Sequence, residues 1–277
     1  MSKNLLKQIM LKPNGPSPIL DTEALIAKIN HGYIAKRGPK HQVKKTFAPS
    51  TLTWGYGECP RYWYLAFEGN TFETNDTPYG VANMTSGTKS HERIQQAMLD
   101  ADLAVAYIDE EESEKRKETV YTTEFKVTHS DPPIFGWGDA MLKWEDEEII
   151  GEIKTMKSDS FEYSKALGRP KVSHLMQLLI YMKVLGKAKG ALIYENKDNH
   201  DLLVFPVEVT EAYKQWINNT FDWLRIVRKA WKDKTIPQKN YRSNSKICKG
   251  CPLKAACAVA EPGVVKIPSL EALSETV

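Results

Sequence analysis

Alternating apolar and polar residues predict two neighbouring strands in the middle of the chain, between residues 134 and 156. Asp139 falls on the first strand, and Glu152 and Lys154 fall on the second. Strand side chains alternate between two faces, so Glu152 and Lys154 point the same way. The pattern indicates either an ordinary surface salt bridge between Glu152 and Lys154 or a site where two carboxylates meet a divalent cation.

The length of the loop between these strands decides how the carboxylates face each other. A loop of Glu145-Asp146 would place Asp139 directly opposite Glu152, and a loop from Glu145 to Glu148 would make them diagonal neighbours. Both loops keep Asp139 and Glu152 on one face. Their separation would then suit a single hard cation such as Mg²⁺ or Mn²⁺, which prefers oxygen ligands.

Apolar spacings of three and four predict helices around this pair, over residues 21–31, 84–99 and 211–231. Further strands are predicted over residues 119–128, 190–196 and 202–209. On the second helix, His91, Ile94 and Met98 share one face, so His91 is expected to point inward. It would be either a core histidine or a side chain that reaches the same cation.

A further helix over residues 174–185 carries two stripes. One is apolar, and the other contains His174, Gln177 and Tyr181, which would face either water or the sheet. The segment before it, residues 157–173, is predicted to be a polar connection. Its lysines, including Lys157 and Lys171, could hold a phosphate backbone.

A segment dense in aromatic residues lies near position 60. It contains Trp54, Tyr56, Tyr62, Trp63 and Tyr64, just around Cys59 and Pro60. These rings are expected either to pack in the core or, for one or two of them, to stack on bases.

The composition is that of an ordinary globular protein, since 42% of the 277 residues are hydrophobic and 26% are charged. No apolar run reaches membrane-spanning length, and the N-terminus lacks the apolar stretch of a secretory signal. A cytoplasmic protein is therefore expected. The formal net charge of +3 is too small to indicate a nucleic-acid partner, but it allows one where lysines cluster.

The cysteines carry a more specific signal. Cys59 stands alone, while Cys248, Cys251 and Cys257 lie close together. In a reducing compartment such thiols are more often metal ligands than disulfides. A single CxxC differs from the paired motifs of structural zinc sites, and a proline after Cys251 is typical of cluster-binding loops. The pattern favours a structural [4Fe-4S] cluster over zinc or free thiols.

Taken in order, these motifs resemble the RecB-like branch of the PD-(D/E)XK nuclease superfamily, especially its iron-sulfur members, such as the nucleases of CRISPR adaptation and the AddB-type nuclease domain. The resemblance runs from about residue 50 to residue 257. It rests on CPRYWYL with Cys59, GTKSHERI with His91, GDA with Asp139, GEIKT with Glu152 and Lys154, QLLIY with Gln177 and Tyr181, and the three clustered cysteines. Gly138 stands where the superfamily's name has proline.

The resemblance implies a role for each of these residues. His91, Asp139 and Glu152 would hold Mg²⁺ or Mn²⁺, with the Ile153 carbonyl as a further ligand. Asp139, Glu152 and Lys154 would be catalytic, with Lys154 orienting the attacking water. The remaining roles are DNA binding by Gln177, Tyr181, Lys157 and Lys171, and cluster ligation by Cys59, Cys248, Cys251 and Cys257.

The implied fold is α/β, with a restriction-endonuclease-like core whose mixed central sheet is flanked by helices. A small helical iron-sulfur module would join the N- and C-terminal parts. Residues 1–47 would form an N-terminal extension and residues 48–260 the nuclease domain, including a cluster module of Cys59 and residues 245–260. Residues 261–277 would be a frayed tail.

The implied function is metal-dependent hydrolysis of DNA, as an exonuclease acting on single strands or ends in recombination, repair, or the processing of CRISPR or viral DNA. Its partners would be DNA and proteins of recombination or CRISPR adaptation, with no membrane. Two alternatives come from other classes. One is a catalytically silent DNA-binding accessory subunit with a nuclease fold, and the other is a zinc-bearing regulatory protein.

Overall fold

The computed structural model describes residues 20–53 and 55–271. Contacts divide the chain into two compact units, a smaller one of residues 1–38 and 76–85 and a larger one of residues 39–75 and 86–277. In the smaller unit, the Asp21 carboxylate accepts a hydrogen bond from the Ala24 N–H and caps a helix over Thr22–Ile34. The helix predicted over residues 21–31 is therefore confirmed.

The helices of the described residues are α1 (Thr22–Ile34), α2 (Pro49–Leu52), α3 (Pro60–Phe67), α4 (Pro78–Asp100), α5 (Glu110–Arg116), α6 (Ser158–Leu167), α7 (Val172–Leu185), α8 (Glu211–Lys232), α9 (Lys246–Gly250) and α10 (Lys254–Val259). The strands are β1 (Lys40–His41), β2 (Thr71–Phe72), β3 (Tyr107–Ile108), β4 (Tyr121–Thr122), β5 (Phe125–Ser130), β6 (Pro133–Gly138), β7 (Ala140–Trp144), β8 (Glu147–Met156), β9 (Lys189–Asn196) and β10 (Leu202–Glu208). None of these helices is long and apolar enough to cross a membrane.

A four-stranded sheet in the order β10-β9-β8-β7 forms the centre of the larger unit. Strand β8 runs antiparallel to β7 and parallel to β9, and β9 runs antiparallel to β10. The expected mixed sheet is confirmed. A parallel pair needs a crossover connection, and α6 and α7 supply it between β8 and β9.

Helices cover both faces of this sheet. On one face, Ile150, Leu192 and Tyr194 belong to the large buried cluster that includes the apolar side chains of α7. On the other face, Ile153 packs in a second cluster with Ile94 of α4. The sheet therefore lies between α7 and the part of α4 that belongs to the larger unit, as the alternation of side chains along β8 requires.

The loop between β7 and β8 contains two residues, Glu145 and Asp146. Trp144 pairs with Glu147, and the same register pairs Ala140 with Gly151. One step further along, Asp139 lies opposite Glu152. The two-residue alternative is thus confirmed, and the four-residue one is excluded.

Asp139 itself does not lie inside a strand, and that part of the prediction is wrong. Strand β6 ends at Gly138 and β7 begins at Ala140, and β6 pairs with β5 in a separate two-stranded sheet. The Asp139 carbonyl accepts hydrogen bonds from the Thr123 hydroxyl (2.6 Å) and the Gln95 side-chain amide (2.9 Å). Side chains thus satisfy this carbonyl, and the chain bends from one sheet into the other.

Two segments expected to be irregular are ordered parts of the larger unit. Helix α6 occupies much of the predicted connection 157–173, because Phe161 is buried while its neighbours are polar. Residues 261–271 are not a frayed tail, since the Trp216 and Trp223 indoles donate to the Glu271 and Pro268 carbonyls at 3.0 and 2.8 Å. The rest of the predicted tail lies outside the described residues.

The aromatic segment near position 60 forms part of the core. Tyr62, Trp63 and Tyr64 are buried on α3, which confirms the packing interpretation for them. Tyr56 is half-buried, and Trp54 lies outside the described residues.

Arg61, on the same helix, is buried and joins it to the C-terminal segment. Its guanidinium donates to the Pro237 carbonyl at 2.8 Å and to the Glu261 carbonyl at 2.6 Å. A charged hydrogen bond contributes about 1.5–3 kcal/mol, and carbonyls left without a donor in the interior are costly. This side chain therefore ties two segments that are far apart in the sequence.

We expect Arg61→Ala to lower the free energy of unfolding by about 3 kcal/mol, because the charged hydrogen bonds are lost and buried carbonyls remain unpaired. Urea unfolding followed by circular dichroism measures the change. Arg116→Ala is the control, since Arg116 pairs with Glu112 at the exposed surface of α5. Exposed pairs contribute about 0.2–1 kcal/mol. Equal losses in both variants would contradict the bracing role of Arg61.

Candidate active site

Asp139 is held at the bend by contacts to both of its carboxylate oxygens. Its Oδ2 accepts a hydrogen bond from the Ile153 N–H at 2.7 Å, so the side chain continues the pairing with β8 where the backbone ladder stops. Its Oδ1 lies 3.6 Å from Nδ1 of His91. The structure thus brings the imidazole of α4 to the carboxylate, as the inward orientation of His91 predicted.

Glu152 lies at the buried centre of the site, with about 1% of its side chain exposed. Its Oε1 accepts hydrogen bonds from the Lys154 ammonium and, at 2.7 Å, from the Gln177 side-chain amide. Its other oxygen, Oε2, is buried and has no hydrogen-bond partner among the described residues. One oxygen of the carboxylate is therefore saturated, while the other is available.

Burial controls the electrostatics of this pair. Burial, and then the Asp139 charge, raise the pKa of Glu152 to about 8, although Lys154 partly offsets the rise. Burial alone would lower the pKa of Lys154, but the charges of Glu152 and Asp139 outweigh it and raise that pKa above its ordinary value. Lys154 consequently remains an ammonium, and Glu152 takes up a proton easily when no other cation is present.

Gln177 and Tyr181 lie beneath this pair and are buried. The Gln177 amide nitrogen donates to Glu152 and also lies 3.3 Å from the Tyr181 hydroxyl. Burial, followed by the Glu152 charge, raises the pKa of Tyr181, so its hydroxyl stays protonated. The polar stripe of α7 therefore faces the sheet, which was one of its two predicted orientations, and there it orients Glu152.

His174 continues the same stripe and is held in one tautomer. Tyr194, the β9 partner of Lys154, accepts a hydrogen bond from the Lys171 N–H at 3.0 Å and lies 2.9 Å from Nδ1 of His174. The buried hydroxyl has no other acceptor among the described residues, so its proton points to Nδ1 and the imidazole proton sits on Nε2. Burial, then the Lys154 and Lys171 charges, lower the pKa of His174 to about 3.

The predicted lysines lie at the starts of two helices. Lys157 precedes α6 and Lys171 precedes α7. Lys171 is exposed, and its charge acts on His174, which places it beside the site. Ile153 contacts Asp139 through its N–H, and the role of its carbonyl stays a prediction.

Glu124 is a site residue that the sequence did not reveal. The pairing of Phe125 with Gly138 places it beside Asp139. Burial, followed by the Asp139 charge, raises its pKa, while a hydrogen bond from Gln95 and the proximity of His91 lower it. In the sequence, Glu124 is recognisable only as the residue before β5. This position indicates a neighbour of Asp139 only when the register of β5 against β6 is known.

The donor set fits a divalent cation in its chemistry. Asp139 and Glu152 supply hard carboxylate oxygens, one of them the buried Oε2 of Glu152 that has no partner among the described residues. The arrangement is not a ready-made cage, however. Within residues 20–53 and 55–271, no three His, Cys, Asp or Glu side chains are grouped closely enough to hold a metal ion.

All four cysteines line one cavity of about 300 Å³. Cys59 is the residue before α3, and Cys248, Cys251 and Cys257 come from α9, α10 and the turn between them. Tyr56 and Tyr62 also contribute to the wall. The structure thus collects thiols from both ends of the larger unit around a shared space.

These thiols influence one another. Burial raises the pKa of Cys59, while the N–H groups of Tyr62 and Arg61 at its sulfur lower it. Burial, and then the other three cysteines, raise the pKa of Cys251 to about 12. Cys59 and Cys251 therefore stay protonated near neutral pH unless a cation takes the place of the proton.

Comparisons with known proteins give only weak similarities. No protein-family model and no curated protein matches the chain. The crystal structure of LHK-Exo, an alkaline exonuclease from Laribacter hongkongensis, is 13% identical over 74% of this chain and 95% of that one, with a TM-score of 0.46. LHK-Exo in complex with dAMP is 13% identical over 68% and 89%, with a TM-score of 0.48. A protein named SSO0001 is 17% identical over 89% and 98%, with a TM-score of 0.40. TM-scores of 0.40 to 0.48 are too low for the likeness to show a shared fold by itself.

Two substitutions should move the pKa of Glu152 in opposite directions. Lys154→Met removes the charge that lowers this pKa, so the pKa should rise further above about 8. Asp139→Asn removes a like charge, so the pKa should fall. Titration of the metal-free protein by carbon-13 NMR of the glutamate carboxyls measures both shifts. Lys189→Met is the control, because Lys189 pairs with Glu147 at the other end of the strands. Shifts of equal sign in the two site variants would contradict this electrostatic description.

Proposed function

We propose that this protein is a deoxyribonuclease that depends on Mg²⁺ or Mn²⁺ and hydrolyses phosphodiester bonds, as an exonuclease on single strands or DNA ends. The observation that carries the proposal is the buried Glu152 carboxylate, which has a charged lysine on one oxygen and a free second oxygen beside Asp139. Structural salt bridges have little need of such a half-satisfied carboxylate, because an unpaired buried oxygen is costly.

Asp139 and Glu152 would hold the cation, with His91 as the third ligand. When bound, the ion would act as a Lewis acid toward the scissile phosphate and the attacking water. Gln177 keeps the Glu152 carboxylate oriented, and the Ile153 N–H does the same for Asp139. These second contacts fix the donor oxygens before any ligand arrives.

Lys154 is the proposed electrostatic catalyst. Its raised pKa keeps the ammonium charged at neutral pH, so it can orient the attacking water and stabilise the negative charge that builds on the phosphate oxygens. The water oxygen bonds to phosphorus and gives up a proton to solvent, the bond from phosphorus to the leaving sugar oxygen breaks, and that oxygen takes up a proton from solvent. Lys171 at the start of α7 would hold a neighbouring phosphate.

One observation favours a rival function, a DNA-binding protein whose nuclease site is silent. As described above, the residues the structure covers contain no ready-made group of three metal-binding side chains. Such a protein would bind DNA as well as the proposed enzyme does and would leave it uncut. Cleavage assays with and without Mn²⁺ separate the two functions.

We expect the purified protein to cut end-labelled single-stranded DNA in the presence of Mn²⁺ or Mg²⁺ and to stop when EDTA is added. Glu152→Gln and Lys154→Ala should each lower the rate at least about 100-fold, because the first loses a proposed ligand of the cation and the second loses the charge that stabilises the phosphate oxygens. Lys189→Ala should cut DNA as fast as the parent. Lys189 is the first residue of β9 and pairs with Glu147, the first residue of β8, away from the candidate site. Full activity in either site variant would refute the proposed mechanism.

We further propose that the cavity lined by the four cysteines holds a [4Fe-4S] cluster. A single zinc ion needs four sulfurs in close tetrahedral contact, whereas a cluster with several iron atoms occupies a larger space between them. The single CxxC and the proline after Cys251 favour the cluster, and the lining of one cavity by all four thiols supports a group that they share. The cluster would join Cys59 to the segment from Cys248 to Cys257, which makes its role structural.

The anaerobically purified protein should therefore be brown and contain about four irons per chain. Cys248→Ser and Cys59→Ser should each lose the colour and lower the melting temperature, because the link between distant segments is broken. Ser243→Ala is the control, since Ser243 lines the same cavity without a thiol. A colourless protein with one zinc per chain would contradict the proposal.

A further inference from the structure

Two aromatic side chains are exposed side by side on β6. Phe135 and Trp137 are 38% and 47% exposed, and their ring centroids lie 6.1 Å apart. Alternation along the strand places both on one face, while Ile134, Gly136 and Gly138 occupy the other, where Gly136 lies against the Tyr181 hydroxyl. The two rings therefore form a small apolar patch at the surface.

A positive charge accompanies the rings. Lys126 of β5 pairs in register with Trp137, and its ammonium lies 5.6 Å from the centre of the indole ring. Thr128, the exposed partner of Phe135, continues the same outward face. This face, which we call the hairpin face, consists of Lys126, Thr128, Phe135 and Trp137. It combines flat apolar rings with a cation, the two features that single-stranded nucleic acid needs for its bases and its phosphates.

The hairpin face leads directly to the candidate active site. The register that pairs Lys126 with Trp137 places Glu124 beside Asp139 at the next outward position. One such step is about 6.8 Å along a strand. Strand β6 ends at Gly138, so the residue that follows Trp137 on the outward side of the chain is Asp139 of the site itself.

We propose that the hairpin face binds unpaired bases of single-stranded DNA by stacking on Trp137 and Phe135, so that the strand beyond them enters the site at Asp139. The inference rests on the proposed function and specifies its substrate, because paired bases in a duplex are already stacked and cannot lie on these rings. The charge of Lys126 and the continuity of the face with the candidate site favour single-stranded DNA as the occupant.

Binding of single-stranded DNA without cleavage tests the proposal. In EDTA, fluorescence anisotropy of a labelled oligothymidylate should show about tenfold weaker binding for Trp137→Ala and a smaller loss for Phe135→Ala. Binding of a blunt duplex of equal length should be unchanged. Trp144→Ala is the matched control, because Trp144 is 59% exposed at the far end of β7. Circular dichroism confirms that each variant folds.

A second measurement locates the stacked base. Oligothymidylates that lack one base at successive positions should bind the parent more weakly at one or two positions, and Trp137→Ala should not distinguish those positions. Equal binding by Trp137→Ala and the parent, loss of duplex binding to the same degree, or no single-strand binding at all would overturn the proposal. So would sedimentation showing that the rings join two copies of the chain.

These outcomes separate the two proposals. If Glu152→Gln abolishes cleavage while Trp137→Ala binds single strands normally, only the hairpin face is wrong. If the parent never cuts DNA but binds single strands through Trp137, only the nuclease assignment is wrong.

Discussion

The buried carboxylate of Glu152 is the constraint on which the rest of the larger unit depends. A carboxyl group buried away from water is tolerated only with close polar partners, and here the partners come from two different elements. Lys154 reaches it because two residues along a strand return to the same face. Gln177 reaches it because the parallel pairing of β8 and β9 forces a crossover that lays α7 on that face. The topology of the sheet therefore places both hydrogen-bond partners of the Glu152 carboxyl group.

The sequence predicted this face but not the whole register. Alternation alone places Glu152 and Lys154 on one face of the sheet. Either of the two predicted loop lengths also places Asp139 on that face. The structure uses the shorter loop, with Glu145 at a φ of 54°, a left-handed conformation usually taken by glycine or asparagine. Residues 145–148 include neither glycine nor asparagine, so the sequence does not indicate a left-handed conformation there. The break at Asp139 was equally hidden, since apolar alternation continues through it. The Asp139 carbonyl there accepts hydrogen bonds from Thr123 and Gln95, which come from other parts of the chain.

Other residues escaped prediction because their roles exist only in three dimensions. Helix α6 looked like a polar connection, since Phe161 is its one large buried side chain. Glu124 acquires its place beside Asp139 from the register of β5 against β6. His174 is visible as a member of a polar stripe, but its tautomer follows from Tyr194 on a strand that is distant in sequence. Periodicity identifies a face, whereas the partner across that face is set by tertiary packing.

Strand β6 shows how the fold serves both the interior of the site and its surface. Gly136 on the inner face leaves room for the Tyr181 hydroxyl, where an added Cβ would lie 3.0 Å from that oxygen. Trp137, one residue later, points outward. A slip of one residue would exchange the two faces and drive the indole toward Tyr181. On that inner side, the Gln177 amide donates to Glu152 and to the Tyr181 hydroxyl, so the strand and α7 together fix the surroundings of the carboxylate. The strand that fixes the inner geometry is therefore also the one that presents outward-facing side chains next to Asp139, because its register against β5 sets both faces at once.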